Sequence, residues 1–148
     1  MQPKNYVCYC GLYCKLCTIV GAIPKQARAL HHTMKRSGWE MWGSQVHKEF
    51  DDFWKVLQNL AQLDETCPLC EGGCGDPTCQ IRGCAQEKGV RVCAQCSEFP
   101  CPLTDELSKR YDEIAINNAR IREVGLEAWI AEQEALAAAG RYYGDDRE

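Results

Sequence analysis

CPLCEGGCGDPTCQIRGCAQEKGVRVCAQCSEFPC, residues 67–101, decides how this chain can fold. Eight of the twelve cysteines fall within these 35 residues. Its large aliphatic side chains are Leu69, Ile81, Val90 and Val92 alone. Burial of so little apolar surface cannot offset the entropy of ordering the segment, so the stretch needs cross-links. Cys67/Cys70 and Cys93/Cys96 have C-x2-C spacing, at which one tight turn aims two sulfurs at a single point, half of a tetrahedral metal site. A third such pair, Cys14/Cys17, lies far upstream, with Cys10 just before it.

Disulfides and metal are the two cross-links available. The N-terminal MQPKNYVCYC contains no apolar run of signal-peptide length, and no segment approaches the ~20 apolar residues of a membrane span. The expected compartment is therefore the cytoplasm, with no membrane partner. Thiols stay reduced there, and C-x2-C pairs hold metal more often than they form bridges. The chain carries a formal net charge of −4. Four thiolates on a divalent cation carry −2, so two such sites bring the balance to about −8. Lys15, Arg82, Lys88 and Arg91 lie beside the cysteines, where N–H···S contacts would offset that charge, as readily as they would form ordinary solvated surface.

At 148 residues the chain reads as one domain, 1–148. Residues 10–17 form an N-terminal cysteine knuckle, 24–63 helices, 67–101 the cysteine-rich centre and 104–139 C-terminal helices. Pro24 suits a first helical turn, and Ala27, Leu30 and Met34 recur at helical spacing until Gly38. Trp39, Met41 and Trp42 follow as an apolar patch. From Ser44 to Leu63 a second helix is expected, since Val46, Phe50, Phe53, Trp54, Leu57, Leu60 and Ala61 form one stripe. Six glycines and prolines between 72 and 89 make the centre loops and knuckles, with room for a short strand or one helical turn. Thr104, followed by Asp105 and Glu106, predicts a helix start, continuing through Leu107, Tyr111, Ile114 and Ile121 to Val124. Gly125 marks a break, a last helix runs from Leu126 towards Gly140, and the tail RYYGDDRE is expected to fray. The fold class is mainly α: a small metal-stabilised domain with helices flanking a zinc-knuckle centre.

Several pairings of sulfurs satisfy these spacings. Joining Cys67/Cys70 to Cys93/Cys96 gives C-x2-C-x22-C-x2-C, slightly longer than a zinc-ribbon loop of ~15–20 residues, and loop closure depends only logarithmically on length. Cys10, Cys14 and Cys17 then need a fourth ligand from downstream, Cys84 or Cys101. An interleaved arrangement joins Cys79 and Cys84 to Cys67 and Cys70, leaving Cys93, Cys96 and Cys101 to meet the N-terminal set. Twelve cysteines even permit three sites. Iron and sulfur are the rival cofactor. Cys10, Cys14 and Cys17 share the C-x3-C-x2-C spacing of radical S-adenosylmethionine enzymes, but this chain is too short and too helical for their barrel. Cys101-Pro102 echoes the end of the bacterial ferredoxin run without reproducing the rest.

CGLYCKLC near the start, then CPLC, then CQIRGCAQEKGVRVCAQCSEFPC, then RIREVGLEAWIAEQE together resemble a family of small cysteine-rich prokaryotic proteins catalogued as a domain of unknown function. The resemblance runs from Cys10 to about Glu134. It implies metal, zinc first, on Cys10, Cys14, Cys17, Cys67, Cys70, Cys79, Cys84, Cys93, Cys96 and Cys101. Cys8 and Cys74 stand outside that pattern. No activity comes with the resemblance.

The remaining residues supply no catalytic constellation. His31 and His32 are helix neighbours about 100° apart and poorly placed to share a metal. With His47 they read as surface histidines. C-x2-C redox chemistry of the thioredoxin kind needs a βαβ setting, which is missing here. Lys25, Arg28, Lys35 and Arg36 cluster on the first helix, yet the acidic total and the lack of a basic stripe over several elements argue against nucleic acid. The Trp39/Trp42 pair reads as a plug at a helix junction. These observations point to a cytoplasmic zinc protein with two or more ions, acting as an interaction or regulatory module with a protein partner rather than as an enzyme. An iron–sulfur redox protein is the alternative, and a zinc-ribbon-like nucleic-acid binder comes third.

Overall fold

Helices carry nearly all the regular structure. The computed structural model describes residues 2–145, with eight α-helices and, among the described residues, no named strand. Contacts between residues divide the chain into two compact units, one of residues 17–67 and one of residues 1–16 with 68–148.

The unit of residues 17–67 holds α1 (Ala22–Arg36), α2 (Trp39–Val46), α3 (Phe50–Leu60) and the single turn α4 (Leu63–Thr66). The expected Ser44–Leu63 helix is therefore divided. Trp39, Met41 and Trp42 belong to α2, and His47 is extended where α2 ends. The apolar stripe continues across the break because α3 folds back onto α2, bringing Phe50 beneath Gly43. A Cβ at Gly43 would meet the Phe50 ring at 2.7 Å, so only glycine permits this approach. Trp39 packs on Trp42 and Phe50 with ring centroids 4.2 and 5.8 Å apart, the helix-junction plug the sequence suggests. His31 stacks on Trp54 at 4.5 Å. Arg28 of α1 clamps both carboxylate oxygens of Asp64 of α4 at 3.0 Å and donates to the Ala61 carbonyl at 2.7 Å.

The other unit opens with a cysteine knuckle, closed by an antiparallel bridge between Val7 and Tyr13 and followed by a 3-10 turn at Cys14–Leu16. Its helices are α5 (Gln80–Lys88), α6 (Pro102–Ser108), α7 (Glu113–Val124) and α8 (Leu126–Ala138), with a second 3-10 turn at Cys93–Gln95. Two differences from the sequence reading stand out. The centre contains α5, a nine-residue helix where one turn was allowed. The helix expected from Thr104 begins instead at Pro102 and is interrupted after Ser108. Pro102 suits a first turn, where its missing N–H loses nothing, and Cys101 and Thr104 cap that turn reciprocally.

The core of this unit surrounds Trp129 and Val92, both fully buried, with Val7, Tyr13, Leu16, Ala94 and Ile121. The Tyr13 ring meets Trp129 edge-on at 5.8 Å. A second cluster joins Cys10, Ile81 and Ile114, so cysteine-rich segments are themselves core here. The tail is docked as far as Tyr143, contrary to the fraying expected: its hydroxyl accepts the Tyr13 N–H at 2.7 Å, and its own N–H reaches the Leu16 carbonyl at 2.8 Å. Residues 146–148 of that tail lie outside the described residues.

Candidate metal centres

Two groups of four cysteines come together, both within the unit of residues 1–16 and 68–148. The first consists of Cys8, Cys10, Cys14 and Cys70. The bridge between Val7 and Tyr13 folds the knuckle so that Cys8 and Cys14 Sγ lie 3.5 Å apart. Cys10 and Cys70 are the other two thiols near enough to act on the Cys8 proton. Contact with those three sulfurs, followed by burial, raises the Cys8 thiol well above its ordinary value. Its three neighbours move the other way. Interaction with Cys8 lowers Cys10 and Cys14 against the effect of burial. Cys70 is pulled down to about 6, by Cys8 first, then by the Tyr9 backbone N–H and the Arg82 guanidinium, again against burial.

Secondary contacts hold this knuckle in place. Asn118 of α7, fully buried, donates to the Cys10 carbonyl at 2.8 Å, and its neighbour Asn117 donates to the Gly11 carbonyl at 2.9 Å. Gly11 has φ +97°, and a Cβ there would stand 2.4 Å from Asn118 Nδ2, so glycine is required by conformation and by space. Arg82 of α5 donates to the Cys70 and Asp76 carbonyls at 2.7 and 2.9 Å and to that of Cys74, gathering the loop around its guanidinium. Arg82 thus both holds carbonyls and lowers the Cys70 thiol.

The second group is Cys84 on α5, Cys93 on the 3-10 turn, Cys96 just after it, and Cys101 immediately before α6. All four line one cavity of about 470 Å³, whose apolar walls include Ile81, Val90, Phe99 and Leu103. Burial first, then the charges of Cys10, Cys101, Cys96 and Cys84, push the Cys93 thiol up to about 12. Burial also acts to raise Cys101, but the backbone N–H and hydroxyl of Thr104 outweigh it and lower the thiol. Lys88 Nζ lies 3.9 Å from Cys96 Sγ and pairs with Glu98, and Thr104 Oγ1 lies 3.6 Å from Cys101 Sγ. Arg122 of α7 donates to the Ala94, Cys96 and Phe99 carbonyls at 2.9, 3.0 and 3.2 Å, with its guanidinium over the Phe99 ring. The Cys93 N–H donates to the Tyr9 carbonyl at 2.7 Å, which ties this turn to the first knuckle.

Of the ten cysteines expected as ligands, the structure gathers Cys10, Cys14 and Cys70 in one group and Cys84, Cys93, Cys96 and Cys101 in the other. Cys79 caps α5 and packs against the Cys10–Ile81–Ile114 cluster. Cys17 and Cys67 belong to the unit of residues 17–67. Cys8, left out of the expected set, is the hub of the first group. Its alternation with Cys10 across the bridged turn was the available signal. Asn118 and Arg122 had no signal in the sequence, because their partners are distant carbonyls. His31 stacks on Trp54 with its Nε2 buried and unpaired, so it is less of a surface residue than expected.

Among the described residues, no three His, Cys, Asp or Glu side chains already stand in the arrangement of an ion site. The Cys8–Cys14 pair nonetheless has the spacing of two ligands on one ion. Four sulfurs about 2.3 Å from one zinc stand about 3.8 Å apart, close to the 3.5 Å separating Cys8 and Cys14. Loss of the thiol protons would replace the S–H···S contacts with repulsion that a cation relieves.

A model of one protein family, described as a protein of unknown function (DUF3795), matches residues 6–106. The matched residues hold all twelve cysteines, Cys8 included, and end before α7 and α8. No curated protein and no solved structure matches the chain. Among the described residues, no helix is long and apolar enough to cross a membrane.

Proposed function

The chain belongs to this DUF3795 family, which brings no activity with it, and we propose that it is a cytoplasmic metal-binding protein acting as an interaction or regulatory module. Cys8, Cys10, Cys14 and Cys70 hold a structural zinc ion, and Cys84, Cys93, Cys96 and Cys101 form a second metal-binding group. One observation carries the reading: three thiols, Cys10, Cys14 and Cys70, gather around Cys8, with Cys8 and Cys14 Sγ 3.5 Å apart. Three of the four have lowered proton affinity, the condition for thiolate ligation. Soft thiolates select zinc, copper(I) or iron–sulfur clusters over hard cations, and zinc takes four sulfurs without geometric preference of its own.

In this reading the first centre does the work that apolar residues cannot do in so glycine-rich a region. It fixes the N-terminal knuckle to the loop after Pro68, leaving the helices to present a partner surface. The test is the metal content of the anaerobically purified full chain, with X-ray absorption at the zinc edge. Four sulfur neighbours at about 2.3 Å are expected. Cys8→Ser should remove one equivalent of zinc and Cys17→Ser none. The opposite pattern would reject the group assigned here, and a metal-free native chain would reject the function.

A further inference from the structure

The two thiol groups differ in how their sulfurs are disposed. In the first group Cys8 and Cys14 Sγ stand 3.5 Å apart, whereas Cys84, Cys93, Cys96 and Cys101 line a cavity of about 470 Å³. A single ion draws four sulfurs to about 3.8 Å from one another. A cubane of four irons and four sulfides spreads its cysteine sulfurs to about 6 Å, since each ligand sits outside a different iron. A cavity bounded by four thiols on three separate elements suits the larger object.

Resting on the metal-binding reading above, the geometry points to an iron–sulfur cluster, of the four-iron class, held by Cys84, Cys93, Cys96 and Cys101. The walls agree with this assignment. Ile81, Val90, Phe99 and Leu103 give the cavity apolar surface, and the Thr104 backbone N–H and Lys88 Nζ are directed towards the Cys101 and Cys96 sulfurs. Such hydrogen bonds to cluster sulfurs raise the reduction potential, and because Lys88 shares its charge with Glu98 in the same cavity, its N–H···S contact is what sets its effect. Arg122 acts as a positioning residue. By holding the carbonyls of Ala94, Cys96 and Phe99, it fixes the loop that carries two of the ligands.

The experiment uses the full chain, purified anaerobically and then reconstituted with ferrous iron and sulfide. Expected are about four iron and four sulfide per chain and an absorption band at about 400 nm. Cys96→Ser should abolish the band, whereas Cys8→Ser should keep it while losing zinc. Lys88→Met should keep the band and shift the potential downward, a readout that does not require a ligand variant to fold. A chain that stays colourless after reconstitution, with zinc at both groups, overturns the inference and leaves the zinc reading intact. A band lost in Cys8→Ser and kept in Cys96→Ser overturns it too, by placing the cluster in the first group. A potential unmoved by Lys88→Met also counts against it.

Discussion

Asn118→Ala tests the first centre without touching a ligand. The amide is fully buried on α7, and its Nδ2 donates at 2.8 Å to the Cys10 carbonyl and at 2.7 Å to that of Ile114. Truncation leaves the Cys10 carbonyl without this donor, which costs about 1–3 kcal/mol for a buried acceptor. The hole left by the missing atoms adds about 1 kcal/mol, for a total of about 2–4 kcal/mol. In a chain of this length, each kcal/mol lowers Tm by about 2–4 °C. The same hydrogen bond orients the knuckle, so zinc affinity should fall about 10-fold or more, as it does when the outer partners of metal ligands are lost. Urea unfolding of the metal-loaded chain reads the first quantity, and competition with a chromophoric chelator reads the second. Asn118→Leu separates packing from hydrogen bonding, because it restores volume without the donors and should stay close to Ala in both assays. If the Leu variant recovers wild-type zinc affinity, or if Ala changes neither quantity, the reasoning from Asn118 to the knuckle is wrong.

Removing metal with a strong chelator should unfold the segment 67–101 while α1 to α3 persist, because structural zinc supplies about 10–16 kcal/mol that so few apolar residues cannot replace. Unchanged circular dichroism and protease resistance after verified metal loss would contradict this. Arg122→Ala should speed amide exchange across residues 94–99 and metal release from the second group, since three carbonyls lose their donor; release at the wild-type rate would deny the clamp. Gly43→Ala should destabilise the chain by about 1–3 kcal/mol through overpacking against Phe50, read by thermal unfolding. Glu134 accepts from Lys15 and from the Tyr13 hydroxyl, and Lys15 first, then Tyr13, holds its carboxyl below the usual range. A depressed folded value stabilises above the unfolded pKa of about 4.3 and is lost as pH falls through the folded one. The stability gap between wild type and Glu134→Gln should therefore be present at neutral pH and vanish on acidification; a gap independent of pH would refute the assignment.

Much of the fold was legible because its signals are local. Helix periodicity, the glycine stops at Gly38 and Gly125 and the scarcity of apolar residues in 67–101 lead to a mainly helical, cysteine-rich chain. The breaks within Ser44–Leu63 and after Ser108 were not legible. At each, the hydrophobic stripe continues in sequence while the chain folds back, as where α3 turns under Gly43. The docking of Tyr143 was hidden for a similar reason, its partners being backbone groups of Tyr13 and Leu16.

By itself the sequence determined a mainly helical, cysteine-rich chain whose 67–101 segment holds too few apolar residues to order itself by burial, and the thiols at ligand spacing raised soft metal as the expectation to test. Only the tertiary structure decided the grouping of sulfurs. C-x2-C spacing fixes how two neighbours point, but which distant pair they meet depends on the backbone between. Here the Val7–Tyr13 bridge, the α5 helix and the carbonyls held by Asn118, Arg82 and Arg122 set that path. They bring Cys8 into the first group and separate Cys70 from Cys93, a choice that spacing alone leaves open because loop closure is almost indifferent to length.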